Sequence, residues 1–164
     1  MRIVVLGAGN ILLGDEGLGV RAIERLPHAY CLPACIELLD AGTCGMEMLE
    51  ELEDLDALIV VDAIRASREP GTLIRLVGEQ VPVFFRTKLS PHQIGLCDVL
   101  ATLELLARAP RYIAILGLQP QSLALGMELT PIIEGAMPEL LRLIVAELGV
   151  LGVHPAPRCA ALTS

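Results

Sequence analysis

The N-terminal stretch MRIVVLGAGNILLGDEGLGVRAIERL, residues 1–26, decides the fold of this chain. Arg2 to Leu6 is a short run of Val, Ile and Leu, which predicts a buried strand. Gly7, Gly9 and Gly14 then break the pattern, as a loop requires. Leu18, Ala22, Ile23 and Leu26 recur at helical spacing and give the next element one apolar face. Asp15 is its expected N-cap and Glu16 a first-turn acid that complements the helix dipole. Strand, glycine loop and helix open a βαβ unit, whose working site lies beyond the carboxyl ends of the strands. Asn10, Asp15 and Glu16 occupy that place.

Two nucleotide readings of this loop fail on spelling. In G-x-G-x-x-G from Gly7 and Gly9, the third glycine falls on Leu12. In a phosphate loop from Gly9 to Gly14, the required Lys is replaced by Asp15. Two adjacent carboxylates repel a phosphate at that helix start. Acids among close-packed glycines suit a cation better.

Moving outward, Cys35–Asp40 reads as a second strand, ending in Asp40-Ala41-Gly42-Thr43. Thr43 is the expected cap of a helix from Cys44 to about Leu52, with Met46, Leu49 and Leu52 inward. Asp56–Asp62 is almost wholly apolar, the signature of a strand covered on both faces, and it too ends in a carboxylate. Asp40, Asp62 and Glu16 thus share one topological position, at or just past strand ends, where open α/β sheets place their sites. Thr72–Val77 reads as a strand, and Val81–Phe85 is a short apolar piece broken by Pro82.

Ser90-Pro91-His92-Gln93 spells a helix start: Ser90 as N-cap, Pro91 in first position, Gln93 closing a capping box. The helix runs to about Arg108, with Ile94, Cys97, Leu100, Ala101 and Leu105 on one face. His92 is left without a local role. The dipole at that end disfavours its protonation and keeps the imidazole in the form that binds metal. Tyr112–Gln119 is a further strand. Thr130-Pro131 starts a last helix to about Gly149, striped by Ala136, Leu140, Leu141, Ile144 and Leu148, with Pro138 expected to kink or delay it. The sum is one α/β domain over residues 1–164, a twisted, mostly parallel sheet between two helical layers. Arg2–Leu6 and Ala57–Val61 belong among its inner strands, and residues from about 150 to 164 are expected as a loose tail.

Composition narrows the function classes. With two Phe, two Tyr and no Trp, the core is aliphatic. A net charge of −8 without a basic cluster argues against nucleic acid as a partner. The apolar runs are strand-sized, so no transmembrane helix is expected, and Met1 leads into a strand rather than a secretory signal, which places the protein in the cytoplasm. Five Cys without a CxxC pair argue against a disulfide framework and a structural zinc site. Cys97 and Cys44 read as structural.

Taken together, Gly7-x-Gly9-Asn10-x-x-x-x-Asp15-Glu16-Gly17-x-Gly19, Asp40-Ala41-Gly42-Thr43, Asp62-Ala63 and Ser90-Pro91-His92-Gln93 resemble the nickel–iron hydrogenase maturation endopeptidases, in particular the hydrogenase-2-type members and their relatives. The resemblance spans roughly residues 1–148 in order and spacing. It implies cleavage of a short carboxyl-terminal extension from the precursor of the hydrogenase large subunit, after nickel insertion, by a monomer. It places the metal contacts on Glu16, Asp62 and His92. It also implies catalytic roles for Glu16 and Asp62, with Asp40 nearby in a supporting or catalytic role. The nickel is held by the substrate, with zinc or another divalent ion as a substitute. Two carboxylates and a neutral imidazole make an oxygen/nitrogen set suited to such an ion, and three ligands leave positions open. Neither H-E-x-x-H nor G-x-S-x-G is present. A metal-bound water and a carboxylate acting as general base both remain open as the source of cleavage. A non-catalytic nickel carrier and a Rossmann-like nucleotide binder are the rival functions.

Overall fold

Residues Ile3–Ala8 form strand β1, buried along its whole length. Its side chains alternate: Ile3 and Val5 enter one core, Val4 and Leu6 the other. In the computed structural model, which describes residues 1–42, 45–86 and 91–158 apart from the side chains of Pro91 and His92, this strand is one of five in a central sheet. The others are β3 (Ile36–Gly42), β4 (Ala57–Ala63), β5 (Leu73–Val77) and β6 (Ile113–Leu118). Their order is β3-β1-β4-β6-β5, parallel except that β5 runs antiparallel to β6. Both strands expected inside the sheet, β1 and β4, are inside it. Apolar residues on both faces leave no stable place for them at an edge.

Helices α1 (Leu18–Ala29) and α5 (Pro131–Val150) cover one face, with Leu18, Ala22, Ile23 and Leu26 of α1 all buried there as expected. Short α2 (Leu49–Leu52), α3 (Gln80–Arg86) and α4 (Pro91–Leu105) cover the other. A two-stranded ribbon, β2 (Tyr30–Cys31) with β7 (Ala156–Pro157), lies outside the main sheet. No helix among the described residues is long and apolar enough to cross a membrane.

Several local expectations change. The apolar piece at Val81–Phe85 is helix α3, because Pro82 sits in the first turn, where no N–H is needed. Before α2, a 3₁₀ turn (Met46–Met48) rotates the chain, so Met48 is buried and Met46 exposed. Thr43, its expected cap, and Cys44 lie outside the described residues, as do Ser90 and Cys159. In α4 the buried stripe is Gln93, Leu96, Val99 and Leu103, while Ile94 and Leu105 face solvent. That helix is apolar nearly all round, so its sequence offers several stripes and only packing on the sheet selects one. Helix α5 runs through Pro138 unbroken, and Pro138 and Glu134 both lie on its exposed side, where water can reach the carbonyl left without an N–H partner. The tail expected to be loose is tied down as far as Arg158. Val153 is buried, β7 pairs with β2, and Arg158 donates from its backbone N to Ala29 O (2.8 Å) and from its side chain to Pro27 O (2.6 Å).

Strand β5 is fastened to α5 by a buried charge. The Glu147 carboxylate accepts from Arg75 Nε at 2.5 Å and from the Tyr112 hydroxyl. Burial, then that carboxylate, pushes the Tyr112 hydroxyl above its ordinary range. Replacing Arg75 with Met leaves Glu147 buried beside Tyr112 with its positive charge gone. The Arg75 side chain is 40% exposed, so solvent screens part of this interaction. Arg75→Met should therefore lower unfolding free energy by about 2 kcal/mol, less than a fully buried pair would. A urea titration checks it.

Candidate active site

The strand order reverses between β1 and β4: the chain leaves β1 toward β3, then returns past β1 to β4 and β6. A crevice opens at such a switch point, outside the carboxyl ends of the strands. Two glycines let the chain close over it. A Cβ on Gly19 would stand 2.0 Å from the Val61 carbonyl oxygen and 2.5 Å from that of Ala8, so α1 begins directly on the ends of β4 and β1. Gly9 has φ +117°, and a Cβ there would meet the Glu16 carbonyl oxygen at 1.9 Å and Asp62 Oδ1 at 3.5 Å. The Glu16 backbone and the Asp62 carboxylate thus converge on Gly9. Gly9→Ala must push the Glu16 carbonyl away and should destabilise the fold by about 2 kcal/mol or more, with activity lost beyond what residual folding explains. Thermal melts beside an activity assay separate the two effects.

The loop's own N–H groups decide against a phosphate. Those of Gly9, Gly14 and Asp15 donate to the carbonyls of Gly42, Gly126 and Ser122, at 3.1, 2.8 and 3.1 Å. Leu12 N donates to Asn10 Oδ1 (2.9 Å), and Leu13 N and Glu16 N donate within the loop. A nucleotide's phosphates need such groups pointing outward.

Asp62 ends β4 and is 1% exposed. Its Oδ1 accepts from Ala63 N at 2.7 Å, and its Oδ2 from Gln93 Nε2 at 2.8 Å. Gln93, itself buried, therefore reaches across to the sheet, while Ser90, its expected partner in a capping box, lies outside the described residues. The sequence reading missed this role because the S-x-x-Q spacing already explained the residue.

Asp15 is also not a helix cap. The residue before α1 is Gly17, with no side-chain cap, and Asp15 is 0% exposed. Its carboxylate accepts from the backbone N of Gln121 (2.9 Å), Ser122 (3.0 Å) and Thr130 (2.8 Å), and from the Thr130 hydroxyl (2.9 Å). The hydroxyl of Thr130 is thereby turned from its own helix to Asp15. Three backbone donors and a hydroxyl offset the desolvation of this charge and fasten the loop after β6 to the glycine loop.

Glu16, in the 3₁₀ turn Gly14–Gly17, is partly exposed. Asp40 lies at the same end of the sheet but is not brought to Asp62. Its register partner on β1 is Gly7, which pairs with Val61 on β4, so two strand spacings, about 10 Å, intervene. Asp40 shares the row of Val61, and Asp62 is the next residue, so the pleat sends the two acids to opposite faces. Asp40 is exposed, and its Oδ1 accepts from Gly42 N at 2.7 Å. His92 stands on the first turn of α4 beside Gln93, and its side chain lies outside the described residues. Among the described residues, which do not include the His92 ring, no three His, Cys, Asp or Glu gather as a metal cluster. What the structure does bring together around Gly9 is the Glu16 backbone carbonyl and the Asp62 carboxylate.

A family model described as hydrogenase maturation protease matches residues 20–147. The chain is 45% identical over 159 residues to the hydrogenase 2 maturation protease of Escherichia coli K12, covering 96% of this chain and 97% of that protein. It is 41% identical over 155 residues to the hydrogenase expression/formation protein HupD of Rhodobacter capsulatus, covering 93% and 74%. The structure of the hydrogenase maturating endopeptidase HybD from E. coli matches with a TM-score of 0.92 at 45% identity, over 96% of this chain and 98% of that one. The [NiFe] hydrogenase maturation protease HybD from Thermococcus kodakarensis matches with a TM-score of 0.74 at 25% identity, over 90% and 99%. With the family model covering most of the chain and relatives matched almost end to end, the chain belongs to the hydrogenase maturation protease family.

Proposed function

We propose that this endopeptidase removes the carboxyl-terminal extension from the large-subunit precursor of a nickel–iron hydrogenase once the precursor holds its nickel. The observation that carries this reading is that Gly9 brings the Glu16 backbone against the strand end that holds the Asp62 carboxylate, at the switch point of the sheet. Glu16 is partly exposed and Asp62 buried, so one acid stands at the mouth and the other in the depth of the crevice.

The nickel belongs to the substrate. On this reading Glu16, Asp62 and His92 are the residues that contact it, and zinc or another divalent ion can substitute. Gln93 fixes the Asp62 carboxylate, so the ion meets a donor already in place. Peptide hydrolysis further requires that a water lose a proton as it attacks the carbonyl carbon, and a carboxylate within reach can accept it. We assign that part to Asp40. Three residues of extended peptide span about 10 Å, which is the separation between the Asp40 and Asp62 positions. A substrate lying across the end of β1 can therefore meet both.

His92→Ala tests the assignment of the imidazole. Cleavage of nickel-loaded precursor, followed by mass spectrometry, should fall by more than about 100-fold, as loss of a metal contact exceeds the effect of an outer partner. Circular dichroism should be unchanged. Full activity in this variant removes His92 from the site.

A further inference from the structure

Leu12, Leu125 and Met127 are 50%, 86% and 58% exposed. Leu12 belongs to the glycine loop, and the other two to the loop after β6. A parallel bridge joins these loops at Leu13 and Gly126, with Gly126 N donating to Leu12 O at 2.9 Å and Gly14 N to Gly126 O at 2.8 Å. The bridge sets the two loops side by side, so Leu12, Leu125 and Met127, each next to a bridged residue, are exposed within one short stretch of surface. Scattered exposed leucines are ordinary, whereas neighbouring ones mark a contact surface.

The support beneath them is unusual as well. The wholly buried Asp15 carboxylate accepts from Gln121 N, Ser122 N and Thr130 N, on either side of Leu125 and Met127. A buried charge with all these donors holds the second loop against the first. The apolar face is thus set before any partner arrives, and little ordering entropy is lost on docking. It is also continuous with the active site: Leu12 lies two residues after Asn10 and four before Glu16, on the loop that carries Glu16 to Gly9.

We propose that Leu12, Leu125 and Met127 form a docking rim for an apolar surface of the precursor, next to the extension that is cleaved. The proposal rests on the precursor being the substrate. The rim adds apolar contact to precursor binding, apart from the ion contacts assigned to Glu16, Asp62 and His92 and the proton acceptance assigned to Asp40.

The test compares the unaltered protein with a Leu125→Ser/Met127→Ser double variant and with Leu105→Ser. Leu105 is 88% exposed at the far end of α4 and serves as the control. Cleavage kinetics on nickel-loaded precursor give KM and kcat, and biolayer interferometry gives Kd independently of cleavage. The double variant should raise KM and Kd about tenfold or more, as loss of buried apolar contact predicts, with kcat and melting temperature kept. Leu105→Ser should change none of them. Unchanged KM and Kd in the double variant, or an equal effect of Leu105→Ser, overturns the rim. If the unaltered protein neither binds nor cleaves the precursor, the substrate reading falls and takes the rim's occupant with it.

Discussion

Asp62→Asn is expected to reduce processing of nickel-loaded precursor by more than about 100-fold, far beyond its effect on stability. The substitution preserves shape and removes charge. Asp62 accepts on both oxygens, from Ala63 N and from Gln93 Nε2, whereas Asn offers one acceptor, so one buried donor loses its partner at a cost of about 1–3 kcal/mol. What disappears is the anionic donor deep in the crevice. A neutral amide oxygen binds a divalent ion weakly compared with a carboxylate. A loss of activity far larger than the fraction unfolded in the thermal melt explains distinguishes a group that meets the substrate's ion from one that only holds the fold. An equal fall in stability and activity would mean that Asp62 is structural.

The second large effect belongs to Gln93. Gln93→Leu fills similar space without the amide that donates to Asp62 Oδ2. The carboxylate is 1% exposed, so water does not readily replace the lost donor, and the acid is left able to turn. Changes of this kind next to a metal contact reduce activity about 10–100-fold, less than loss of the contact itself. Gln93→Glu should be worse than Gln93→Leu, because it sets a second carboxylate against the first. A merely structural Gln93 predicts the reverse order, since the longer polar isostere fits the same space. Single-turnover cleavage rates of the two variants, with precursor in excess of KM, give the order directly.

How far the sequence led depends on the kind of interaction. Strands β1 and β4 were legible because unbroken apolar runs of strand length have few other places to go. Helix α1 was legible because only one stripe of it is apolar. Helix α4 was not, since its apolar residues encircle it, and only the sheet beneath chooses Leu96, Val99 and Leu103 over Ile94 and Leu105. Glu16 and Asp62 stood out in the sequence by their places at or after strand ends, and both lie at the carboxyl end of the sheet as that topological rule requires. Asp15 was misread, and the bond from Gln93 to Asp62 missed, for one reason. Each residue fits a local capping pattern within a few positions, while the partners seen here stand 31 or more positions away in the chain. Local spelling cannot register a long-range hydrogen bond. The tail was misjudged likewise, because the backbone pairing that holds Ala156–Pro157 to Tyr30–Cys31 leaves no mark in small residues and prolines.

The central claim is that the precursor's nickel licenses cleavage. If Glu16, Asp62 and His92 complete the coordination of an ion already held by the substrate, the ion is part of what is recognised. A precursor without it should bind weakly and stay whole. The most direct measurement incubates the unaltered protein with nickel-loaded and nickel-free large-subunit precursor in parallel and follows the precursor mass over time. The account predicts loss of the extension from the loaded form alone, restored to the nickel-free form when nickel is inserted. Equal cleavage of both forms would contradict it.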